Sequence, residues 1–231
     1  MCRSVKLAIA AVSVAVLAGG GVLAWYLFSD DAPPPPSLPS AAGTASDPPA
    51  AEGLDGQWTV RSDGTVTEDG TFVGYRVEEV LTGVTRTAVG RTASIDGALT
   101  IQGTTVTAAS FTADLTSLQS DDGRRDRRMR DIGLQTADFP AATFELTQPI
   151  ALSIDGAVLD AQAVGTLTLH GTTRQVTIPL QAQRNDDGTF AVVGTLDVLF
   201  ADYGIDTPNI AGFVTTEDRG ALELQLFFER A

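Results

Sequence analysis

From Gly53 onward the chain alternates. Apolar residues recur at every second position through Leu99-Thr100-Ile101, Ala109-Ser110-Phe111-Thr112-Ala113-Asp114-Leu115 and Phe144-Glu145-Leu146. The same period runs through Ile150 to Ile154, Leu167-Thr168-Leu169, Val176 to Leu180, Leu196-Asp197-Val198-Leu199-Phe200 and Leu222 to Phe228. A period of two sends successive side chains to opposite faces of a strand, so each run has one face to bury. Weaker segments at Trp58–Val60 and Phe72–Val80 bring the total to about eight to ten strands. Asp96-Gly97, Asp155-Gly156 and Asp187-Gly188 lie between runs and have hairpin-turn composition. Hairpins in succession predict an all-β antiparallel fold. Strands in this number close into a barrel of about eight without exposed edges; two packed sheets are the other arrangement.

One stretch breaks the alternation for long. Ser117–Phe144 contains Arg124, Arg125, Arg127, Arg128 and Arg130. We expect a short helical insert at the barrel mouth: Ser120, Asp121 or Asp122 can cap it and Gly133 can end it. Asp126 stands four residues before Arg130, the favourable order for an ion pair, and Met129 and Ile132 share a face at i, i+3. Arg124, Arg127 and Arg128 are expected to face anionic lipid headgroups or a polar lipid head.

Ahead of the strands, Val5–Phe28 reads VKLAIAAVSVAVLAGGGVLAWYLF. After Lys6 it is uncharged, and at ~1.5 Å per residue it is long enough for a ~30 Å hydrocarbon core. Arg3 and Lys6 precede it while Asp30 and Asp31 follow, which puts the N-terminus in the cytoplasm and the remainder outside. A cleaved signal peptide ending at Val16-Leu17-Ala18 is the other reading, but it would leave GGGVLAWYLF as an apolar end. Residues 1–28 are therefore expected to be a single-pass transmembrane anchor of a cell-membrane protein. Residues 29–52 are rich in Pro and Ala and are expected to be a semi-stiff spacer, reaching at most ~70 Å at ~3.1 Å per residue. The barrel domain occupies residues 53–231.

Composition narrows the chemistry. There are 15 Lys+Arg against 29 Asp+Glu, a formal charge of −14, which excludes a general nucleic-acid binder. Cys2 is the sole cysteine, so no intrachain disulfide and no thiolate metal site can form. His170, in Thr168-Leu169-His170-Gly171, is the sole histidine; a turn histidine bonded to local backbone is its simplest reading. No phosphate loop, nucleophile elbow or spaced carboxylate pair is present, so no catalytic residue, metal ligand or cofactor is assigned. The apolar register is long enough to line an interior, and Ala109, Ala113 and Gly165 leave volume in it. Core packing and a ligand cavity both satisfy that pattern.

Arg125-Asp126-Arg127-Arg128-Met129-Arg130, followed by Phe139-Pro140-Ala141-Ala142-Thr143-Phe144, resembles the signature of the YceI-like family. Gly165 to Val176 (GTLTLHGTTRQV) and Tyr203-Gly204-Ile205 are similar to further family segments. Arg128 stands where members often carry histidine. The resemblance implies a lipocalin-like antiparallel barrel enclosing a polyisoprenoid, often of quinone type, in an envelope compartment, with no established enzymatic activity. On that basis the ligand-binding candidates are Val77, Phe111, Ala113, Leu115, Phe144, Leu146, Leu167, Leu169, Val198, Phe200 and Leu224. Arg125, Asp126, Met129 and Arg130 are candidates for shaping the mouth. The expected partners are an isoprenoid lipid and a membrane, not nucleic acid. The alternatives are an envelope interaction module with a filled barrel, or an enzyme using His170 on a lumen-bound lipid.

Overall fold

Strands β1 (Gly56–Val60) and β2 (Phe72–Leu81) are two halves of one wall strand. Both run antiparallel to the last strand: Trp58↔Arg230 to Val60↔Phe228 for β1, and Phe72↔Gln225 to Arg76↔Ala221 for β2. β3 (Val84–Thr92) and β4 (Ile95–Gln102) likewise pair with β2 and β1 in turn and continue one another. The computed structural model describes residues 32–39, 54–81, 83–152, 158–185, 187–207, 209–210 and 214–231. The apolar segment 5–28, Cys2, the Asp155-Gly156 pair and most of residues 29–52 lie outside the described residues. No described helix is long and apolar enough to cross a membrane.

The wall continues through β5 (Thr105–Asp114) and β6 (Ala141–Leu146), with the two-residue β7 (Ile150–Ala151) extending β6 along β5. Then follow β8 (Val158–Leu169), β9 (Thr172–Arg184) and β10 (Phe190–Leu199). Short strands β11 (Asn209–Ile210) and β12 (Val214–Thr216) lead to β13 (Arg219–Arg230), which pairs with β10 and with β1 and β2. Counting each collinear pair once leaves eight wall positions in chain order, all antiparallel and closed on themselves. This is an up-and-down barrel of eight positions, with no edge left open along that circuit.

The ladder between β9 and β10 spans only Phe190↔Arg184 to Gly194↔Leu180. Pro179 comes next, and it has no N–H to extend the pairing. Beyond it Arg174 bridges the parting strands: its Nε donates to the Asp202 carbonyl at 2.6 Å, and its Nη2 meets the Asp202 carboxylate at 2.9 Å.

Asp187-Gly188 lies in the β9–β10 turn as expected, with Gly188 at φ +84°. Asp96-Gly97 does not turn the chain; it sits inside β4, where Gly97 pairs with Phe111. The glycine there answers a packing need described below rather than a backbone one.

Between β5 and β6 the chain leaves the wall and covers one end of the barrel, hereafter the insert end. Helix α1 (Gly123–Arg128) starts at Asp122, whose carboxylate accepts from the Arg124 amide. It runs on as a π turn, Met129–Gly133, closed by the Leu134 amide donating to the Met129 carbonyl at 2.7 Å. That wider i→i+5 turn displaces the i, i+3 stripe. Met129 therefore packs against the core while Ile132 is 52% exposed, so the two do not share a buried face. Asp126 does not pair with Arg130 either. Its Oδ1 accepts from the Ser120 amide at 2.9 Å and the Ser120 hydroxyl at 2.6 Å, which ties the loop before the helix to the helix.

A second buried layer lies outside the wall. Alternation on β13 sends Leu222, Leu224 and Leu226 inward and Glu223 and Gln225 outward, yet both outward residues are buried. The Glu223 carboxylate binds Arg76 on β2 and, at 3.2 Å, Arg91 on β3. Loop 61–71 covers part of this layer, because Gln225 Nε2 donates to the carbonyls of Glu68 and Gly70 at 2.7 and 2.9 Å. Residues 32–39 cover the rest. Arg76 Nη2 donates to the Pro33 carbonyl at 2.7 Å, Arg91 Nη2 donates to the Pro34 carbonyl, and the Ser37 amide donates to Gln225 Oε1 at 3.2 Å. This part of the proline-rich segment is docked on the barrel rather than free as a spacer. Polyproline backbone keeps every carbonyl unpaired, so it suits capture by arginines.

Candidate functional site

The barrel encloses a cavity of about 360 Å³. Its wall is built by the alternation itself: Val73, Tyr75 and Val77 from β2, Ile95, Leu99 and Ile101 from β4, and Phe111 and Ala113 from β5 all face it. On β8 the lining runs from Leu159 through Ala161 and Ala163 to Leu169. The ten steps from Leu159 to Leu169, at ~3.3 Å each and tilted by ~40°, cover about 25 Å of the barrel axis. The site is therefore long rather than round.

The interior stays open because several rings lie over glycines on neighbouring strands. Tyr75 occupies the space a Cβ of Gly90 would need, Phe111 that of Gly97 and Phe144 that of Gly165. Phe200 does the same at Gly220, 2.8 Å from the ideal Cβ position. With no Cβ beneath it, each ring settles toward the wall. Buried apolar residues consequently form two groups. One, near the insert, includes Leu115, Leu118, Leu134, Leu167 and Leu169; the other, at the far end, includes Trp58, Ile101, Val106 and Phe228. At the far end Trp58 Nε1 donates to the Leu54 carbonyl at 2.9 Å and its ring meets Phe190 at 4.3 Å.

Most polar groups stand at the two ends of the lining; Thr143 and Glu223 lie between them, the Glu223 carboxylate being bound to Arg76 and Arg91. Glu79, Asp206, Thr207 and Thr216 belong to the insert end, Gln183 and Arg184 to the far end. At the insert end Arg125 reaches from α1 to Glu79 of β2 at 3.5 Å and also binds Asp121. Both the Arg125 and Glu79 side chains are only 18% exposed. Burial alone would lower the Arg125 pKa, but Glu79 and Asp121 outweigh it and raise it, so the guanidinium stays charged. Burial pushes the Tyr75 hydroxyl well above the usual tyrosine value; Arg125 opposes this, while Asp126, Glu79 and Asp121 add to it. Tyr75 is thus a neutral hydroxyl beneath the insert.

Val77, Phe111, Ala113, Leu115, Phe144, Leu146, Leu167, Leu169, Val198, Phe200 and Leu224 all lie on the cavity wall. Met129 also lines it, Arg125 clamps the insert to β2, and Asp126 holds the loop before the helix. Arg130 contributes its backbone carbonyl, which accepts from the Thr136 amide at 2.9 Å. Sequence reading passed over Tyr75, Leu118, Leu134 and the first half of β8. Leu159, Ala161 and Ala163 do alternate, but two are alanines, too small to stand out.

His170 does not line the cavity. Its Nδ1 lies 3.1 Å from the Tyr203 carbonyl, which can only accept, so this nitrogen carries the proton. Its Nε2 lies 3.3 Å from the Gln135 side chain and its ring stacks at 4.4 Å on Phe139. The histidine joins the β8–β9 turn to the insert and to the turn after β10, rather than to local backbone. Among the described residues no three His, Cys, Asp or Glu side chains gather as a metal site would require.

A sequence profile described as the YceI-like domain matches residues 65–228, most of the chain. The protein belongs to the YceI-like domain family. Solved structures share the fold of this YceI-like domain at low identity. A polyisoprenoid binding domain from Saccharophagus degradans, described as implicated in plant cell wall breakdown, is 22% identical with a TM-score of 0.58. The match covers 75% of this chain and 98% of that one. BcnA of Burkholderia cenocepacia is 18% identical, with a TM-score of 0.50 over 66% of this chain and 95% of its own. A YceI protein of Campylobacter jejuni is 16% identical, with a TM-score of 0.50 over 62% and 85%. Comparison with the curated proteins finds no match.

Proposed function

We propose that the lumen holds an extended apolar lipid of the polyisoprenoid class, of quinone or polyprenol type, and that residues 5–28 anchor the protein in a membrane with the barrel on the extracytoplasmic side. The observation that carries this reading is the apolar wall along β8 from Leu159 to Leu169, with most of the polar lining groups at the two ends of the cavity. A cavity of about 360 Å³ falls in the ~300–1,000 Å³ range of small-molecule sites. The description of the Saccharophagus degradans neighbour supports the same ligand class.

Each buried CH₂ is worth about 0.8 kcal/mol relative to water, so such a lipid does not travel free. A bilayer is as apolar as the lumen, so transfer between them is close to neutral. That suits exchange of the lipid rather than permanent storage. The protein acts as a binder or carrier: the wall presents hydrocarbon, and both ring nitrogens of His170 are engaged away from the cavity.

Native mass spectrometry of protein extracted from membranes tests the proposal. A bound lipid whose mass series steps by one isoprene unit is expected. Ala109→Phe, which fills the lumen, should reduce its occupancy. An empty barrel that also takes up no added polyprenol would refute the proposal.

A further inference from the structure

We infer that the insert end of the barrel docks on an anionic lipid bilayer, with Arg124, Arg127, Arg128 and Ile132 making the contact. Between Asp121 and Asp131 arginines and aspartates nearly balance in number, so composition alone does not make this a basic patch. Geometry separates them. Asp122 accepts from the Arg124 amide, Asp126 from Ser120, and Asp121 binds Arg125, so three of the four acids are engaged in holding the insert together and Asp131 alone stands exposed beside the arginines. Arg124 and Arg127 are exposed and Arg128 is half-buried, and none of the three has an ion-pair partner among the described residues. Beside them Ile132, at 52%, is the most exposed of the large apolar residues described. Unpaired guanidinium groups next to an exposed aliphatic side chain match the charged surface and shallow apolar layer of a membrane interface.

The docked proline segment points to the same end. Pro33 is held by Arg76, Pro34 by Arg91 and Ser37 by Gln225. In the β2–β13 ladder Arg76 lies nearer the insert end and Gln225 nearer the far end. Residues 33 to 37 therefore descend along β13 away from the insert, with Pro33 at the end nearer the insert. This second observation rests on the anchor proposed above, whereas the arginine surface does not. With the apolar stretch ending at Phe28, only three residues separate it from Ala32, four Cα steps or ~14 Å when fully extended. Docking of the proline segment thus turns a long spacer into a short one and sets the insert against the bilayer, beside the lipid the lumen would exchange.

The test uses the full chain with Cys2→Ser, reconstituted in nanodiscs of phosphatidylcholine alone or mixed with phosphatidylglycerol. An environment-sensitive dye is attached at Ile132→Cys, or at Val158→Cys near the far end as a control. A blue shift at position 132 in the phosphatidylglycerol discs at low salt, with none at position 158, is the expected result. R124Q/R127Q/R128Q should abolish it, since each charge near such a surface is worth about fivefold and three about a hundredfold. R124K/R127K/R128K, which keeps the charge, should retain it. A dye at 132 that reports water in both discs, a shift of equal size in neutral lipid, or a shift that survives the glutamine substitutions would overturn the docking. Lumen occupancy is read separately by mass spectrometry, so failure of one reading is distinguishable from failure of the other.

Discussion

The ring of Phe111 on β5 fills the space that a side chain at Gly97 on β4 would take, and the two residues are direct partners in the ladder. Phe111 lines the lumen. A methyl group at 97 must push the ring off the wall and into the cavity. Gly97→Ala is expected to destabilise the fold by about 1–3 kcal/mol, the usual cost of overpacking. It should also lower lipid occupancy. Urea denaturation reads the first effect and native mass spectrometry the second; unchanged stability and occupancy together would refute the role given to this pair.

Glu223 is the shared counter-charge of Arg76 and Arg91. The Glu223 and Arg91 side chains are 2% and 5% exposed. Removing one member of such a cluster leaves the others buried without compensation, at about 3–5 kcal/mol. Glu223→Gln should produce a loss of that order in urea denaturation. It should also release residues 33–37, visible as faster amide exchange at Ser37. A loss below ~1 kcal/mol would mean that water already reaches the cluster.

The Arg125–Glu79 pair is the ionic link between insert and wall. Because both groups are partly exposed, Glu79→Gln is expected to cost only about 1 kcal/mol in global stability. The larger effect should be local. Amide exchange over residues 123–134 should accelerate while the strands of the barrel keep their protection. Equal acceleration in both would show that the pair supports the whole fold rather than the insert in particular.

Tyr75 supplies a pH dependence. Burial raises its pKa above the ordinary value of 10.0, and burial raises that of Tyr203 as well. A tyrosine kept neutral in the fold contributes stability that is fully present below its unfolded pKa and is lost as pH rises past it, because ionisation then favours the unfolded chain. Stability should therefore fall from about pH 10 upward. Tyr75→Phe should flatten that slope in thermal melts recorded across the alkaline range, and an unchanged slope would assign the effect elsewhere.

Period-two alternation by itself determined an all-β antiparallel fold and which side chains of β4, β5, β6, β10 and β13 face inward, since a strand offers only two faces. It also marked the insert, because five arginines in a chain of charge −14 demand an explanation. β3 was not legible. Ala88 to Thr92 are buried without a break, because the packed core around Tyr75 covers one face while the outer layer around Arg91 and Glu223 covers the other. Burial on both sides erases the pattern on which strand reading depends. Asp96-Gly97 read as a turn because dipeptide composition cannot reveal the aromatic ring stacked against it from β5.

Only the tertiary structure decided that the barrel has room inside. Ring-over-glycine contacts join different strands, and it is the ladder register that sets which glycine lies beneath which ring. Only the tertiary structure, too, placed the proline segment on β13, because backbone carbonyls capture Arg76 and Arg91 and carbonyls are the same in every residue. Sequence periodicity reports the face a side chain takes; volume and docking depend on what other strands bring to that face.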